Sequence, residues 1–475
     1  MTIDAGSDKV EVTLQDVNIK ADSGSALTSK GDVTLTLKGD NHLTGGISGT
    51  GNYGRNGIAS TGSLTISGGE NDSLTAQGGA GGSGIHISRN GSLTISGGTV
   101  TANGDDGGSG IYSSNSSSVT ISGGMVTANG GSGNISGGDG ICSDSGDVTI
   151  SGGTVTATGG GSTGSNGFGG RGICSDSGGV TISGGTVKAT GGNGDYSGGD
   201  GISSSDRVAI SGGTVTANGG DSSSRKGASG ISSSSGVTVS GGTVNANGGN
   251  GDYNGGSGIS SFDRVAVSGG TVTANGGSGN FSGGDGISSS GIDLSGSLEL
   301  TAKAGKGTQS NGKALSQNGS ELDLDTIKDK LGPGAKVTAT DANGKTKQVS
   351  IPRPVEPEES SSSSDGGSAT PSAPAFSLPG LTVTDKDGQR ISYTNTQSGN
   401  ALTVCVGRFT ASFRISLAAL RQLRAEGIEA ITFQTILCST TLSVDELLAM
   451  GGEDAEVVLT HHIRSSTLTV GGKAV

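Results

Sequence analysis

Two sets of residues in this chain are spaced for ligand chemistry. Aspartates stand just before a recurrent Gly-Ile step, at Asp139, Asp200 and Asp285, with Asp195 and Asp252 upstream in the same kind of stretch. Carboxylates placed so, with backbone carbonyls beside them, are ligands for a hard cation, and Ca2+ is the cofactor they point to. Aspartate is also a turn residue, and turn chemistry accounts for any one of them taken alone. They miss the nonapeptide calcium repeat, whose Asp recurs in register at a far shorter period. Aromatic residues stand five positions before the same glycine at Tyr196, Tyr253 and Phe281, and four before it at Phe168 and Tyr53. Rings along one edge could stack on the C–H faces of sugars or could pin their own loops. The candidate carbohydrate-binding residues are therefore Phe168, Tyr196, Tyr253 and Phe281.

Cysteine, histidine and arginine add little catalytic signal. Cys142 and Cys174 occupy the same place in two copies of "GICSDSG". In-register neighbours on stacked strands have Cα atoms about 4.8 Å apart, which a disulfide tolerates; two small outward residues would fit equally. Cys405 and Cys438 both lie in expected strands and could also be bridged. Neither pair has zinc spacing or a histidine nearby. His42, His86, His461 and His462 include no His/Asp pair that would support a nucleophile. Arg207 and Arg264 recur beside Asp206 and Asp263 in "DRVAI" and "DRVAV", a pattern open to a lyase base and to a repeated turn ion pair. No catalytic residue is assigned.

The elements that hold these residues follow from composition and period. The chain has 475 residues, of which 97 are Gly and 7 Pro, and every proline lies at Pro333 or later. The preceding part therefore keeps all its backbone donors, which suits a long hydrogen-bonded sheet. The net charge of −13 without a Lys/Arg cluster excludes a nucleic-acid partner. No apolar run is long enough to span a membrane, so no membrane insertion is expected. The opening "MTIDAGSDKV" lacks the charged and apolar regions of a signal peptide.

Gly-Ile and Ser-Gly-Gly recur at spacings of 26 to 32 residues. One unit reads "GIYSSNSSSVTISGGMVTANGG" and contains three short pieces of period two, the pattern of a strand. Ile111, Val119, Ile121, Val126 and Ala128 would point inward from it. So few apolar residues make a core only when units stack. The fold class is all-β: a right-handed parallel β-helix of about ten coils, followed by a linker and a small α+β domain, the coils rising about 4.8 Å each. Asn103, Asn129, Asn218, Asn247 and Asn275 hold one fixed place and would form a side-chain ladder.

The ends depart from the repeat. Longer strands such as "VEVTLQDVNI" open the chain, and "DTIKDKLG" predicts a short helix near the other end. The β-helix is placed at residues 1–350, a Pro/Ser-rich linker at 351–376 and the α+β domain at 377–475. Ser416 should cap a helix through Glu426, and "SVDE" at Ser443 fits a capping box.

The ordered phrases "GSALTSKGDVTLTLKGDNHLTG", "GIASTGSLTISGG" and "GIHISRNGSLTISGGTVTANGG" resemble a known family across about residues 10–345. It is the carbohydrate-binding domain family of bacterial cell-surface proteins, with a polysaccharide-lyase-like right-handed β-helix. The resemblance implies binding of plant cell-wall polysaccharides, bound calcium, no established catalysis, and export. The chain is accordingly expected outside the cell or on its surface, with the leader already removed. The resemblance identifies no ligand residue here and leaves out the last 100 residues.

The expected function is non-catalytic binding of a polysaccharide or cell-surface glycan by a monomeric, calcium-assisted β-helix. A structural or adhesive stalk presenting the C-terminal domain is the alternative. A polysaccharide lyase and an ice-binding face of outward Thr-x-Thr pairs rank below these, the latter interrupted by Met125, Lys188 and Asn245.

Overall fold

The computed structural model describes residues 1–47, 55–352, 381–385, 389–391, 393–398, 400–406, 408, 410–435, 439–450, 455–461, 466–471 and 473–474. The chain divides into two compact units, Met1–Pro357 and Glu358–Val475.

The first unit is a right-handed parallel β-solenoid of about 14 turns. That exceeds the ten expected because the atypical sequences at both ends also form coils. One coil shows how the residues dictate it. Strands Ile111–Ser113, Ser118–Ile121 and Met125–Asn129 alternate between inside and outside. Ile111, Val119, Ile121, Val126 and Ala128 are all fully buried, as period two requires. Each lies in parallel register on the like residue of the next coil: Ile111 on Ile141, Val119 on Val148, Val126 on Val155, Ala128 on Ala157. Burying one such Ile or Val side chain stabilises the fold by about 1.5–3 kcal/mol, and the columns run on coil after coil.

The third strand of each coil joins a 13-stranded sheet. The first two strands of each coil belong to a 22-stranded sheet, joined by Leu27–Lys38, which pairs with both Ile58–Thr61 and Leu64–Ser67. The corner before the third strand needs a left-handed residue: Gly153 sits at φ 78° and packs against the Gly124 carbonyl. The asparagine ladder forms as expected. Asn129 Nδ2 donates to Asn103 Oδ1 at 2.9 Å, and Asn247 to Asn218 and Asn275 to Asn247 at 2.8 Å. Thr158 and Thr190 interrupt it in the two coils between Asn129 and Asn218.

The C-terminal end of the solenoid is closed. A 3-10 helix, Leu324–Lys330, buries Leu324 and Ile327, and Thr346–Ser350 turns back antiparallel on Lys336–Thr340. The expected linker falls almost wholly outside the described residues.

The second unit is α+β. A five-stranded antiparallel sheet and a four-stranded sheet share a core with Phe413 and Phe433. Ser416 caps the helix Leu417–Ala425, and Ser443 caps Val444–Ala449, each accepting from a first-turn amide. His461 is a core residue, its ring 4.9 Å from Phe433 and its Nε2 2.9 Å from Thr440 Oγ1. Of the second expected cysteine pair, the Cys405 thiol lies 3.5 Å from Gln434 Oε1, and Cys438 lies outside the described residues.

Candidate functional site

The loops before each Gly-Ile step stack in register like the strands. Single backbone bridges run Ser136–Phe168–Ser197–Lys226–Asn254–Ser282–Ser310 up the solenoid. Glycine makes this possible, since a Cβ on Gly130 would run into the Gly138 carbonyl oxygen across its own loop. Residues beside this seam are therefore delivered to one edge, one coil apart.

Three of the four aromatic candidates fall in one column with an arginine. Tyr196, Arg225, Tyr253 and Phe281 occupy the position before the bridged residue, and Phe168 lies one residue out of register. The rings touch one another. Tyr253 and Phe281 stack with centroids 4.6 Å apart and planes 8° apart, and Phe168 meets Tyr196 at 5.2 Å and a 50° tilt. The Arg225 guanidinium lies 4.6 Å above the Tyr196 ring and donates to its hydroxyl at 3.2 Å. One face of Tyr253 and one of Phe281 are thus covered by the partner ring. Phe168, Tyr253 and Phe281 remain 46%, 49% and 41% exposed. Tyr53 lies outside the described residues.

Beside the rings runs a polar trough. One depression of about 440 Å³ is lined by Ser162, Thr163, Asn193, Asp195, Asp221 and Ser223 among others. A second, of about 360 Å³, is lined by Asn250, Ser278, Asn280, Lys306 and Thr308. Both occupy the same part of the loop, as the bridges Gly194–Ser222–Gly251–Gly279–Gly307 show.

The five aspartates do separate jobs. Asp139, Asp200 and Asp285 each accept from the amide one coil on, from Arg171 at 2.6 Å, Ser229 at 2.8 Å and Lys313 at 2.7 Å. Asp195 accepts from the Asn166 amide and the Ser223 hydroxyl, which hold its carboxyl below the usual range. Asp252 accepts from Asn280 Nδ2 at 2.6 Å. Burial pushes the Asp200 carboxyl up, partly offset by the Ser229 amide, Lys226 and Arg171. Among the described residues, three metal-ligating side chains come within 4.8 Å of one another only at Asp139, Cys142 and Cys174. That group does not suit calcium. Its cysteines form a disulfide with Cα atoms 4.6 Å apart, and Arg171 lies against its carboxylate at 3.1 Å.

The Arg171 guanidinium bridges Asp139 and Asp176 and covers the disulfide, its Nη2 3.6 Å from Cys142 Sγ. Burial opposes its charge, but hydrogen bonds and charges from Asp176 and Asp139 outweigh this and hold its pKa above the ordinary value. Sequence reasoning missed this residue. Its signal was an arginine at the position where the coils on either side carry Asp139 and Asp200. The expected Arg264–Asp263 turn pair is replaced by a longer reach: Arg264 meets Asp293, one coil on, at 3.8 Å. On the outer face of the third strand, Lys188 and Asn245 stand in register with Thr156, Thr216 and Thr273, so that threonine column is broken as expected.

No helix among the described residues is long and apolar enough to cross a membrane. Neither the curated proteins nor the solved structures compared with the chain give a match. Six stretches, residues 93–111, 119–139, 148–170, 180–206, 208–235 and 237–261, match the family described as Beta helix repeat. With the stacking seen in the structure, this supports a β-helix repeat protein whose first unit is a parallel β-helix.

Proposed function

We propose that the protein is a non-catalytic binder of polysaccharide or cell-surface glycan, and that it binds along the loop edge of the solenoid. The observation that carries this reading is the repeated pairing of a ring column with a polar trough on the same loops. Hydroxyl, amide and carboxylate groups suit sugar hydroxyls, and the rings with the Arg225–Tyr196 pair supply an apolar wall. An extracellular or cell-surface setting goes with this reading, because a buried disulfide suits an oxidising compartment. Binding by a monomer needs no second chain. Calcium assistance is part of this proposal, because a carboxylate that accepts one amide or hydroxyl bond keeps lone pairs for a cation.

The test is retention of the full chain on immobilised plant and host polysaccharides, with and without chelator. Retention is expected, and retention that a chelator leaves unchanged would remove calcium from the reading while leaving glycan binding in place. Tyr253→Ala combined with Phe281→Ala should weaken retention by about tenfold or more, the loss of one to two such wall contacts. Failure to bind any glycan would sink the reading. A second reading, a stalk carrying the C-terminal unit, is favoured by the division of the chain into two units. Deleting residues 376–475 separates the two, because retention that survives belongs to the solenoid.

A further inference from the structure

The trough contains a column of side chains that share one design. Asn193 Oδ1 accepts from the Asp221 amide at 2.9 Å, Asp221 Oδ1 from the Asn250 amide at 2.6 Å, and Asn250 Oδ1 from the Ser278 amide at 2.9 Å. Each side chain is therefore fixed at one oxygen to the coil above. Its other polar atom is left at an exposed position with no bond to a described residue: Nδ2 of Asn193, Oδ2 of Asp221, Nδ2 of Asn250. Ser278 and Lys306, also exposed, continue the column at the next two coils. The outward sequence is donor, acceptor, donor, hydroxyl, cation, one group per coil.

We propose that this column, Asn193, Asp221, Asn250, Ser278 and Lys306, reads an extended, unbranched polyhydroxylated chain laid parallel to the solenoid axis, one unit per coil. The inference rests on the glycan-binding reading and adds the ligand's direction, register and form. Three features carry it. The groups recur at the coil rise of about 4.8 Å, close to the length of one sugar unit in an extended chain. Asn193, Asp221 and Asn250 are each pre-oriented by a bond to the coil above, so little of their side-chain freedom is lost on binding. A hydroxyl that donates to Asp221 Oδ2 must take its own hydrogen bond from elsewhere, so alternating donor and acceptor groups fix the direction in which each sugar hydroxyl is oriented along the chain. A ligand wrapped around the solenoid would instead cross the glycine-rich rims of a single loop and meet one such group.

The test uses the full chain and defined β-1,4-gluco-, β-1,4-manno- and α-1,4-galacturono-oligosaccharides, from dimer to octamer, by calorimetric titration. For the series that binds, affinity should climb with each added unit to about the pentamer and then level off. Asp221→Asn keeps the oxygen that holds the Asn250 amide and turns the outward acceptor into a donor. Asn250→Asp does the reverse. Each should weaken the pentamer about tenfold while leaving the dimer and the thermal midpoint nearly unchanged, a split that a purely structural role would not give. A dimer that binds as tightly as the octamer overturns the axial reading, as do two swaps without effect, and glycan binding itself would then still stand. Absence of binding by every oligosaccharide and every polymer overturns both.

Discussion

At the scale of single residues, His86 couples pH to stability through burial. It is buried on the outer side of its strand, with its ring 5.3 Å from Tyr112 and Nε2 3.1 Å from Ser114 Oγ. Burial lowers its pKa from 6.5 to about 4. Between those values the unfolded chain holds a proton that the folded chain refuses. Stability from this group is therefore complete above pH 6.5 and falls as pH drops toward 4, by up to about 3 kcal/mol. Urea unfolding at neutral and mildly acid pH should show this slope in the native chain and a flatter one in His86→Gln; equal slopes would remove His86 as the cause. A second residue-scale expectation concerns Cys142 and Cys174. Their bridge closes a separation of 32 residues. Cys174→Ser should lower unfolding free energy by about 2–4 kcal/mol, and reductant should have no further effect on that variant.

The strands were the most legible elements, because period two assigns Ile111, Val119 and Ala128 to the inside without any tertiary knowledge. The asparagine ladder was legible for the same reason, since one position per repeat becomes one column in a parallel stack. The site was legible only in part. Alignment on Gly-Ile put Tyr196, Tyr253 and Phe281 on one edge, but sequence carries no ring angle, so the 8° stack of Tyr253 on Phe281 was invisible. Counting from Gly-Ile also hid Asp221 from the Asn193–Asn250 column, because its loop is one residue longer and the loops register from their other end. The five aspartates were grouped by type, whereas each is occupied by its own neighbour in the next coil. At this scale, Asn247→Ala should cost about 1–3 kcal/mol, since it leaves Asn218 Oδ1 and Asn275 Nδ2 without their partner. Asn247→Thr should cost less, because threonine already serves at Thr158 and Thr190. Chemical denaturation of both variants checks the order.

For the whole molecule, the chain carries two separate cores, one in each unit. Calorimetry should give two transitions, and deleting residues 358–475 should remove one while leaving the other within a few degrees. A single transition that vanishes on deletion would show that the solenoid depends on the second unit. Each coil of the solenoid contacts mainly its two neighbours, so its stability is a sum over adjacent pairs of coils. That makes the weakest interface between coils more important than the average one.

The asparagine ladder lapses at Thr158 and Thr190, and the Cys142–Cys174 bridge joins those same two coils. At this interface the ladder adds no amide bond, and the side-chain links include instead the Arg171–Asp139 ion pair and the disulfide. The bridge lies across that seam and keeps the intervening 32 residues from paying out as slack. On the order of 100 Å of contour length is thereby withheld from a stretched molecule until a reductant reaches the sulfurs, which turns a local lapse in bonding into a mechanical fuse set by redox conditions.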